Sequence, residues 1–230
     1  NNITQLGRQL ATLPIDPSLA RILLEAKKEN CLTEILIIIS ALSISDPRDR
    51  PLDKGEQADA AHLKFHDPES GFMSFIKLWN VLQSESKSAT SKSLRIFCQK
   101  NFLSFTRMRE WQELHRQLMQ IIQELDFLVN QKEASYDQIH RALLSGLLGN
   151  IGYKEGEGYE YKGARGIKFL IGPKLFRKKN YKWMLAAEIV DTGKLYAQCV
   201  AKLDVSWVEK LAHHLVNSEY SNPRWNQKLS

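Results

Sequence analysis

The chain has 230 residues, of which 43% are hydrophobic and 25% are charged. This composition is typical of a globular protein and argues against a disordered, fibrous or membrane-embedded chain. The three cysteines include no C-x-x-C pair, so they indicate neither a disulfide framework nor a zinc site. This use of cysteine fits the reducing cytoplasm. Because the chain begins at Asn1 without a leader segment, we expect a piece of a longer protein.

The positive charge is concentrated in one short segment. The formal net charge is +6, and residues 1–130 contribute none of it, because they hold 16 basic and 16 acidic residues. Residues 162–182, called the basic segment below, hold no acidic residue and eight basic ones: Lys162, Arg165, Lys168, Lys174, Arg177, Lys178, Lys179 and Lys182. Interleaved aromatic residues favour nucleic acid as its partner, since bases stack on rings while lysines follow phosphates. The alternative is a solvated edge strand whose lysines prevent aggregation.

The first 130 residues show helical patterns. Asp16-Pro17 is a typical helix start, with Asp16 as the N-cap and Pro17 at the first helical position. Apolar residues at helical spacing and polar, proline-rich interruptions predict the segments that follow. In chain order they are a buried helix at 35–42, a loop at 45–51, an alanine-rich helix at 56–65, a loop at 66–71, a helix at 72–82, a serine-rich connection at 84–93 and a long helix at 111–125.

The pattern changes after about residue 131. A helix at 139–148 is followed by closely spaced glycines and by alternating apolar residues, which predict short strands. Residues 183–190 and 195–203 flank a glycine-containing turn and predict a hairpin. Ser206 and Glu209 have the spacing of a capping box and predict a final helix. The predicted fold is α+β: an N-terminal all-α bundle, then a small OB-type β-barrel and a C-terminal helix.

Motifs for catalysis are absent from the sequence. It contains no glycine-rich phosphate loop of the GxxxxGK[ST] type, and no set of residues suggests a nucleophile with its base. His62 and His66, beside Asp67, are spaced so that they could share a metal ion on one helix face. A metallohydrolase is therefore one alternative function, although the sequence offers no third nitrogen or sulfur ligand nearby.

Several strings resemble one helicase family. Residues 3–17, ITQLGRQLATLPIDP, resemble the LTxLGRxLAxLPxDP run that leads into the helicase-associated region of DEAH-box RNA helicases. Asn101-Phe102-Leu103 is similar to the NFLxY string of that family, and residues 171–190 resemble its OB-fold. Other strings resemble the bacterial HrpA-type branch, and they include Asp46-Pro47-Arg48, Phe65-His66-Asp67 and Arg109-Glu110-Trp111.

The resemblance implies a domain order and a function. It implies the C-terminal part of a DEAH-box ATP-dependent RNA helicase: the tail of a winged helix at 1–17, a helical ratchet domain at 18–130 and an OB-fold with a helical extension at 131–230. In that family two RecA-like motor domains bind ATP and magnesium, and the motor motifs are missing here. This piece alone should neither hydrolyse ATP nor unwind RNA, whereas the parent protein should do both.

The charge pattern and the resemblance together indicate an accessory region that binds single-stranded RNA, or single-stranded DNA, beside the RecA-like domains of the same polypeptide. We expect a monomer with no membrane partner, no metal and no cofactor of its own. The electroneutral helices would form a rigid wall of the RNA channel. The candidate RNA-binding residues are Lys168, Lys174, Arg177, Lys178, Lys179 and Lys182 in the barrel, with Lys100, Asn101 and Arg107 near the NFL string. The main alternative is a protein-interaction adaptor whose basic surface serves solubility.

Overall fold

The computed structural model describes residues 15–86, 90–172 and 181–211. Its α-helices are α1 (Pro17–Glu29), α2 (Leu32–Leu42), α3 (Gly55–His62), α4 (Gly71–Ser86), α5 (Ser91–Lys100), α6 (Phe105–Glu124), α7 (Tyr136–Leu147) and α8 (Val205–Leu211). Its strands are β1 (Ile151–Lys154), β2 (Glu160–Lys162), β3 (Lys168–Ile171), β4 (Trp183–Asp191) and β5 (Leu195–Lys202). Among the described residues, no helix combines the length and the apolar character needed to cross a bilayer. The α+β order predicted from the sequence is confirmed.

The helical half is organised around one buried core. α1 begins as predicted, because the Asp16 carboxylate accepts a hydrogen bond from the Ser18 N–H at 2.8 Å and Pro17 holds the first position. α2 lies inside the bundle, and its residues 35–39 are all buried. The fully buried Trp111 of α6 donates its indole N–H to the Ile37 carbonyl at 3.1 Å, which fixes α6 against α2.

Two local predictions were wrong. The serine-rich stretch predicted as a connection contains the end of α4 and the start of α5, a helix capped by Thr90. α5 buries only Leu94 and Cys98, so its apolar stripe is too short to stand out in the sequence.

The predicted cap of the last helix was also wrong. This helix begins at Val205, and the Asp204 carboxylate accepts a hydrogen bond from the Ser206 N–H at 2.9 Å. Asp204, and not Ser206, therefore caps the helix.

The strands form a closed barrel in the order β1-β2-β3-β5-β4, with β4 pairing back to β1. β3 and β5 are parallel, and the other neighbouring pairs are antiparallel. The predicted hairpin of β4 and β5 is confirmed by pairing from Met184–Lys202 to Asp191–Leu195. The barrel interior is filled by buried side chains that include Tyr161, Phe169, Met184 and Val200.

The barrel is attached to the helices through α7. This helix leads into β1 through one short 3-10 turn, Leu148–Asn150, and it packs along α1. The two helices are in close contact at Gly146, where an added Cβ would stand 2.3 Å from the backbone oxygen of Ser18. Only glycine permits this approach, so the contact fixes α7, and with it the first strand, relative to the bundle.

A second attachment runs along β5. Ser70 and Ala201 form an isolated β-bridge, and the Lys202 N–H donates to the Glu69 carbonyl at 2.9 Å. The Tyr136 hydroxyl of α7 donates to the Lys202 carbonyl at 2.9 Å. The barrel and the helices are therefore joined by backbone pairing as well as by the shared apolar core.

His140 lies buried beneath this second attachment. Its Nδ1 donates to the Tyr136 carbonyl at 2.7 Å, and its Nε2 therefore accepts from the Ser70 hydroxyl at 2.8 Å. The ring stacks on that of Tyr136 with centroids 3.7 Å apart. Burial lowers the pKa of His140 to about 4, so the neutral ring is the form that joins α7 to the 66–70 loop.

The α1–α7 contact predicts a large effect of one added methyl group. Gly146→Ala should lower the free energy of unfolding by about 1–3 kcal/mol, because the methyl group meets backbone that cannot rotate away. Gly149→Ala is the matched control, since a Cβ there has no atom within 4 Å, and it should change stability by less than about 0.5 kcal/mol. Urea unfolding of both variants measures the difference, and equal midpoints would contradict the packing argument.

The buried imidazole predicts a pH dependence of stability. Between pH 6.5 and 4 the unfolded chain binds a proton at residue 140 that the folded chain does not, so stability should fall as the pH is lowered through this range. From pH 7 to pH 5 this group accounts for about 1–2 kcal/mol. Urea unfolding at both pH values should show a smaller decrease for His140→Gln than for the wild type. An equal decrease in both proteins would exclude His140 as its source.

Candidate nucleic-acid interface

The described cations of the basic segment lie on the outside of the barrel. Lys162 of β2 and Lys168 of β3 are directly opposite each other, and both side chains are exposed. Their neighbours Tyr161 and Phe169 point into the barrel and are buried. Arg165, also exposed, lies in the turn that joins the two strands. The β2–β3 hairpin therefore presents three cations at one end.

Two aromatic rings extend this cationic surface. Tyr153 of β1 is opposite Lys162, and Trp183 of β4 is opposite Tyr153, with ring centroids 4.7 Å apart. Lys168, Lys162, Tyr153 and Trp183 thus form one row across four neighbouring strands. Because side chains that are opposite each other share a face of a sheet, the row is one continuous surface with cations at one side and rings at the other.

Acidic side chains neutralise little of this surface. Lys168 forms an ion pair with Glu160 at 3.1 Å, and the two side chains are 65% and 55% exposed. An exposed pair of this kind contributes little to stability and is easily exchanged for another anion. Lys162, Arg165 and Lys182 form no ion pair with any residue that the structure describes.

Lys182 lies one step along the barrel from the row. Its side chain is exposed, and its carbonyl accepts from the Lys154 N–H at 2.9 Å. The preceding residue, Tyr181, is anchored on both sides: its hydroxyl donates to the Pro68 carbonyl at 2.7 Å, and its carbonyl accepts from the Tyr161 hydroxyl at 2.7 Å. Burial raises the pKa of both phenols to about 12, so both remain donors at neutral pH. Four candidates, Lys174, Arg177, Lys178 and Lys179, lie outside the described residues.

The candidates near the NFL string lie in a different structure, formed where residues 46–50 meet residues 101–104. We call this pair of loops the turn clasp. Phe102 has a positive φ of 52°, and its carbonyl accepts from the Asp49 N–H at 2.8 Å and from His62 Nε2 at 3.0 Å. The Ser104 N–H donates to the Pro47 carbonyl at 2.8 Å. The backbone of each loop is therefore fixed by the other.

The three candidates at or beside the turn clasp, Lys100, Asn101 and Arg107, differ in exposure. Asn101 is 5% exposed; its Nδ2 donates to the Phe97 carbonyl at 2.8 Å, and its Oδ1 accepts from the Lys64 ammonium group. Both ends of this amide are therefore used inside the protein, and they hold the turn. Arg107 is 40% exposed and is engaged with Asp49 at 2.9 Å. Lys100 is exposed and has no ion pair among the described residues.

The turn clasp and the barrel meet on the first turns of α4. The Arg48 guanidinium lies 4.9 Å from the centroid of the Phe75 ring and pairs with Asp46 at 2.6 Å. One helical turn earlier, Gly71 packs against β5, where an added Cβ would stand 3.1 Å from the Cys199 sulfur. The helical candidates and the described barrel candidates, Lys168 and Lys182, therefore belong to one folded body.

The metal alternative gains no support from the geometry. In the described part of the chain, no three His, Cys, Asp or Glu side chains are grouped so that they could hold an ion. His62 instead binds the turn clasp, and the Asp67 carboxylate pairs with Lys77 at 2.9 Å while accepting from the Ser70 N–H at 3.0 Å.

A groove of about 760 Å³ lies between α4 and α6. Its lining is rich in amides, and its residues are Trp79, Gln83, Gln112, His115, Arg116, Met119, Gln120 and Gln123. The one cation in this lining, Arg116, pairs with Glu113 at 2.7 Å. The groove is therefore close to neutral and does not suit a polyanion.

Comparison with known proteins agrees with this division into helices and barrel. Residues 16–104 match the family described as helicase associated domain (HA2), ratchet-like, and residues 139–215 match the oligonucleotide/oligosaccharide-binding (OB)-fold family. The chain is 47% identical over 227 residues to the ATP-dependent RNA helicase HrpA of Escherichia coli strain K12, an alignment that covers 98% of this chain and 17% of that protein. The chain belongs to the HrpA-like DEAH helicases.

Two further relatives support the assignment. The HrpA homolog of Haemophilus influenzae is 45% identical over 226 residues, which are 98% of this chain and 17% of that protein. The ATP-dependent RNA helicase DHX33 of Drosophila melanogaster is 25% identical over 217 residues, which are 94% of this chain and 30% of that protein. The chain thus spans a minor part of the HrpA-like proteins, and this part consists of the ratchet-like and OB-fold domains.

The structure adds residues to the candidate interface that the sequence does not single out. In the sequence, Lys162 and Arg165 contribute only charge, and Tyr153 has no distinctive neighbours. What distinguishes Tyr153 and Lys162 is their position opposite each other on β1 and β2, which is a property of strand register.

The placement of Asn101 predicts a decrease in stability when its amide is removed. Asn101→Ala should lower the free energy of unfolding by about 1–3 kcal/mol, since the Phe97 carbonyl loses a buried partner. The neighbouring Lys100→Ala, at an exposed position, should stay within about 0.5 kcal/mol of the wild type. Urea unfolding distinguishes the two variants. If Asn101→Ala were as stable as Lys100→Ala, the amide would not be what holds the turn.

Proposed function

We propose that this chain is the accessory RNA-channel region of a DEAH-box ATP-dependent RNA helicase and that its barrel binds the backbone of single-stranded RNA. One observation carries the proposal. On a barrel of the oligonucleotide/oligosaccharide-binding family, the exposed Lys162 and Lys168 of the basic segment lie in one row with the half-buried rings of Tyr153 and Trp183. The names of the relatives, which are ATP-dependent RNA helicases, support RNA as the nucleic acid.

The chemistry of the candidates favours contact with phosphates. Lysine and arginine side chains on exposed strands and turns are flexible cations, which neutralise phosphates and release counterions without reading bases. Lys168 and Lys182 supply such groups among the described residues, and we assign the same role to Lys174, Arg177, Lys178 and Lys179. Binding should therefore depend strongly on salt and weakly on RNA sequence.

The helical half has a different role in this proposal. At and beside the turn clasp its cations are paired, because Arg48, Arg50 and Arg107 each have a carboxylate partner. We propose that it forms a stiff wall of the channel, in which Lys100 and Arg107 are secondary contacts and Asn101 positions the turn that carries them. Single-stranded DNA is a second possible strand, because backbone contacts alone distinguish RNA poorly.

The motor activity belongs to other parts of the polypeptide in this proposal. We infer that ATP and magnesium bind RecA-like domains outside this stretch, and that this stretch contacts those domains as a single copy in the cytoplasm. The proposed division places a winged-helix tail at 1–17, the ratchet domain at 18–130 and the OB-fold at 131–230. By itself the chain should not hydrolyse ATP.

One observation favours a second candidate function. The neutral, amide-rich groove between α4 and α6 suits a protein partner better than a nucleic acid. A protein-interaction adaptor would use this groove, and its basic segment would serve only solubility. Such a protein would show no affinity for oligouridine at low salt and would retain a protein partner in pull-down.

Charge removal from the basic segment tests the leading proposal. Replacing Lys174, Arg177, Lys178 and Lys179 together with glutamine should weaken binding of the 230-residue chain to fluorescein-labelled oligouridine. The slope of log affinity against log salt should become shallower by about 0.7 for each phosphate that the variant no longer neutralises. Fluorescence anisotropy across a salt titration gives both quantities.

A matched variant separates local contacts from net charge. Replacing Arg21, Lys54, Lys92 and Lys132 with glutamine removes one arginine and three lysines from exposed positions of the helical half. It should retain most of the affinity and the slope of the wild type. Equal decreases in the two variants would show that only net charge attracts RNA, and unchanged binding in the first variant would contradict the proposed contact.

A further inference from the structure

The turn of the β2–β3 hairpin contains a residue of unusual type. Residues 164–167 form a β-turn in which the Ile167 N–H donates to the Ala164 carbonyl at 3.3 Å. Both central residues have positive φ, 56° at Arg165 and 76° at Gly166. This is the I′ geometry, for which Asn, Asp or Gly is strongly preferred at the first central position. An arginine there is strained, since its Cβ crowds the backbone in the left-handed region.

The charges around this turn are also unfavourable for the fold. Lys162 and Lys168 are directly opposite each other on adjacent strands, an arrangement in which like charges repel. Arg165 adds a third cation at the same end, and of these three cations only Lys168 has an ion pair with a described residue, Glu160. Lys162, Arg165 and Lys168 are called the hairpin triad below. Both the backbone and the charges of this hairpin therefore oppose folded stability.

Protection of a strand edge does not explain the hairpin triad. Lysines guard sheet edges against pairing with other chains, but that need arises only where a strand lacks a neighbour. In this closed barrel β2 lies between β1 and β3, and β3 lies between β2 and β5. Neither strand has an open edge. A turn that retains strain and repulsion in such a position is typical of a ligand contact.

We propose that the hairpin triad is a binding site for the phosphates of an unpaired RNA strand, and that Tyr153 stacks a base of the same strand. This inference rests on the proposed function but adds a site distinct from residues 174–179. The row geometry supports it, because Tyr153 is opposite Lys162 and so lies beside the triad on the same face. Trp183 packs against Tyr153 and fixes its ring.

One substitution separates strain from charge. Arg165→Asn removes the cation and supplies a residue that the turn prefers. Its melting temperature should hold or rise by up to about 4 °C. Its affinity for fluorescein-labelled oligouridine should fall severalfold, and the salt slope should become shallower by about 0.7. Arg165→Lys keeps the charge and should retain the wild-type slope. Both are measured on the 230-residue chain by thermal melting and fluorescence anisotropy.

The stacking role has a separate test. Tyr153→Phe should bind as the wild type does, whereas Tyr153→Ser should bind more weakly with an unchanged salt slope, because removing a stacked ring releases no counterion. Melting curves of both variants establish that they are folded. Equal affinity of the Phe and Ser variants would overturn the assignment of Tyr153.

The outcomes distinguish this inference from the proposed function. If Arg165→Asn binds oligouridine with the affinity and salt slope of the wild type, the hairpin triad does not contact RNA. In that case, weaker binding by the variant with Lys174, Arg177, Lys178 and Lys179 replaced would still support the proposed function. If the wild type binds no oligouridine at low salt, both are overturned. Binding to vesicles of anionic lipid in place of oligouridine would assign the triad to a membrane surface and overturn the inference as stated.

Discussion

The close packing of α7 on α1 is the constraint on which the rest of the structure depends. At Gly146 the two helices approach so closely that a side chain cannot be accommodated, and α7 passes into β1 after a single turn. The orientation of the first strand is therefore set by a contact inside the helical half. Because each further strand is positioned by pairing with its neighbours, the whole outer face of the barrel inherits this orientation.

The attachment along β5 adds stiffness to this arrangement. The 66–70 loop pairs with the end of β5, and the buried imidazole of His140 joins that loop to α7. The first turns of α4 contact the turn clasp through Phe75 and the barrel through Gly71. A force applied at the barrel is thus transmitted to the turn clasp through packed and hydrogen-bonded groups, as a rigid channel wall would require.

Sequence periodicity predicted the elements that bury a long stripe or contain a distinctive turn. The stripe through Trp111 indicated α6, and the turn at 191–194 indicated the β4–β5 hairpin. Periodicity did not predict the role of residues whose main contact is distant in the sequence. From the sequence Asn101 resembles a surface residue, but in the fold its amide accepts a hydrogen bond from Lys64, 37 positions earlier. The row formed by Lys168, Lys162, Tyr153 and Trp183 could not be predicted from the sequence for a similar reason. Neither Tyr153 nor Lys162 is unusual in the sequence, and only strand register places them opposite each other.

The helical half and the barrel differ in how far their cations are paired with carboxylates, and this difference bears on function. In the turn clasp the cations are matched by nearby carboxylates, as in the pairs Arg107–Asp49 and Arg50–Asp59. In the β2–β3 hairpin the cations exceed the acidic groups, and one of them occupies a backbone conformation that favours another residue. Pairing between neighbouring side chains accounts for the first arrangement, although exposed pairs of this kind contribute little to stability. It does not account for the second, which fits the proposed role of the hairpin triad as a binding site for phosphates.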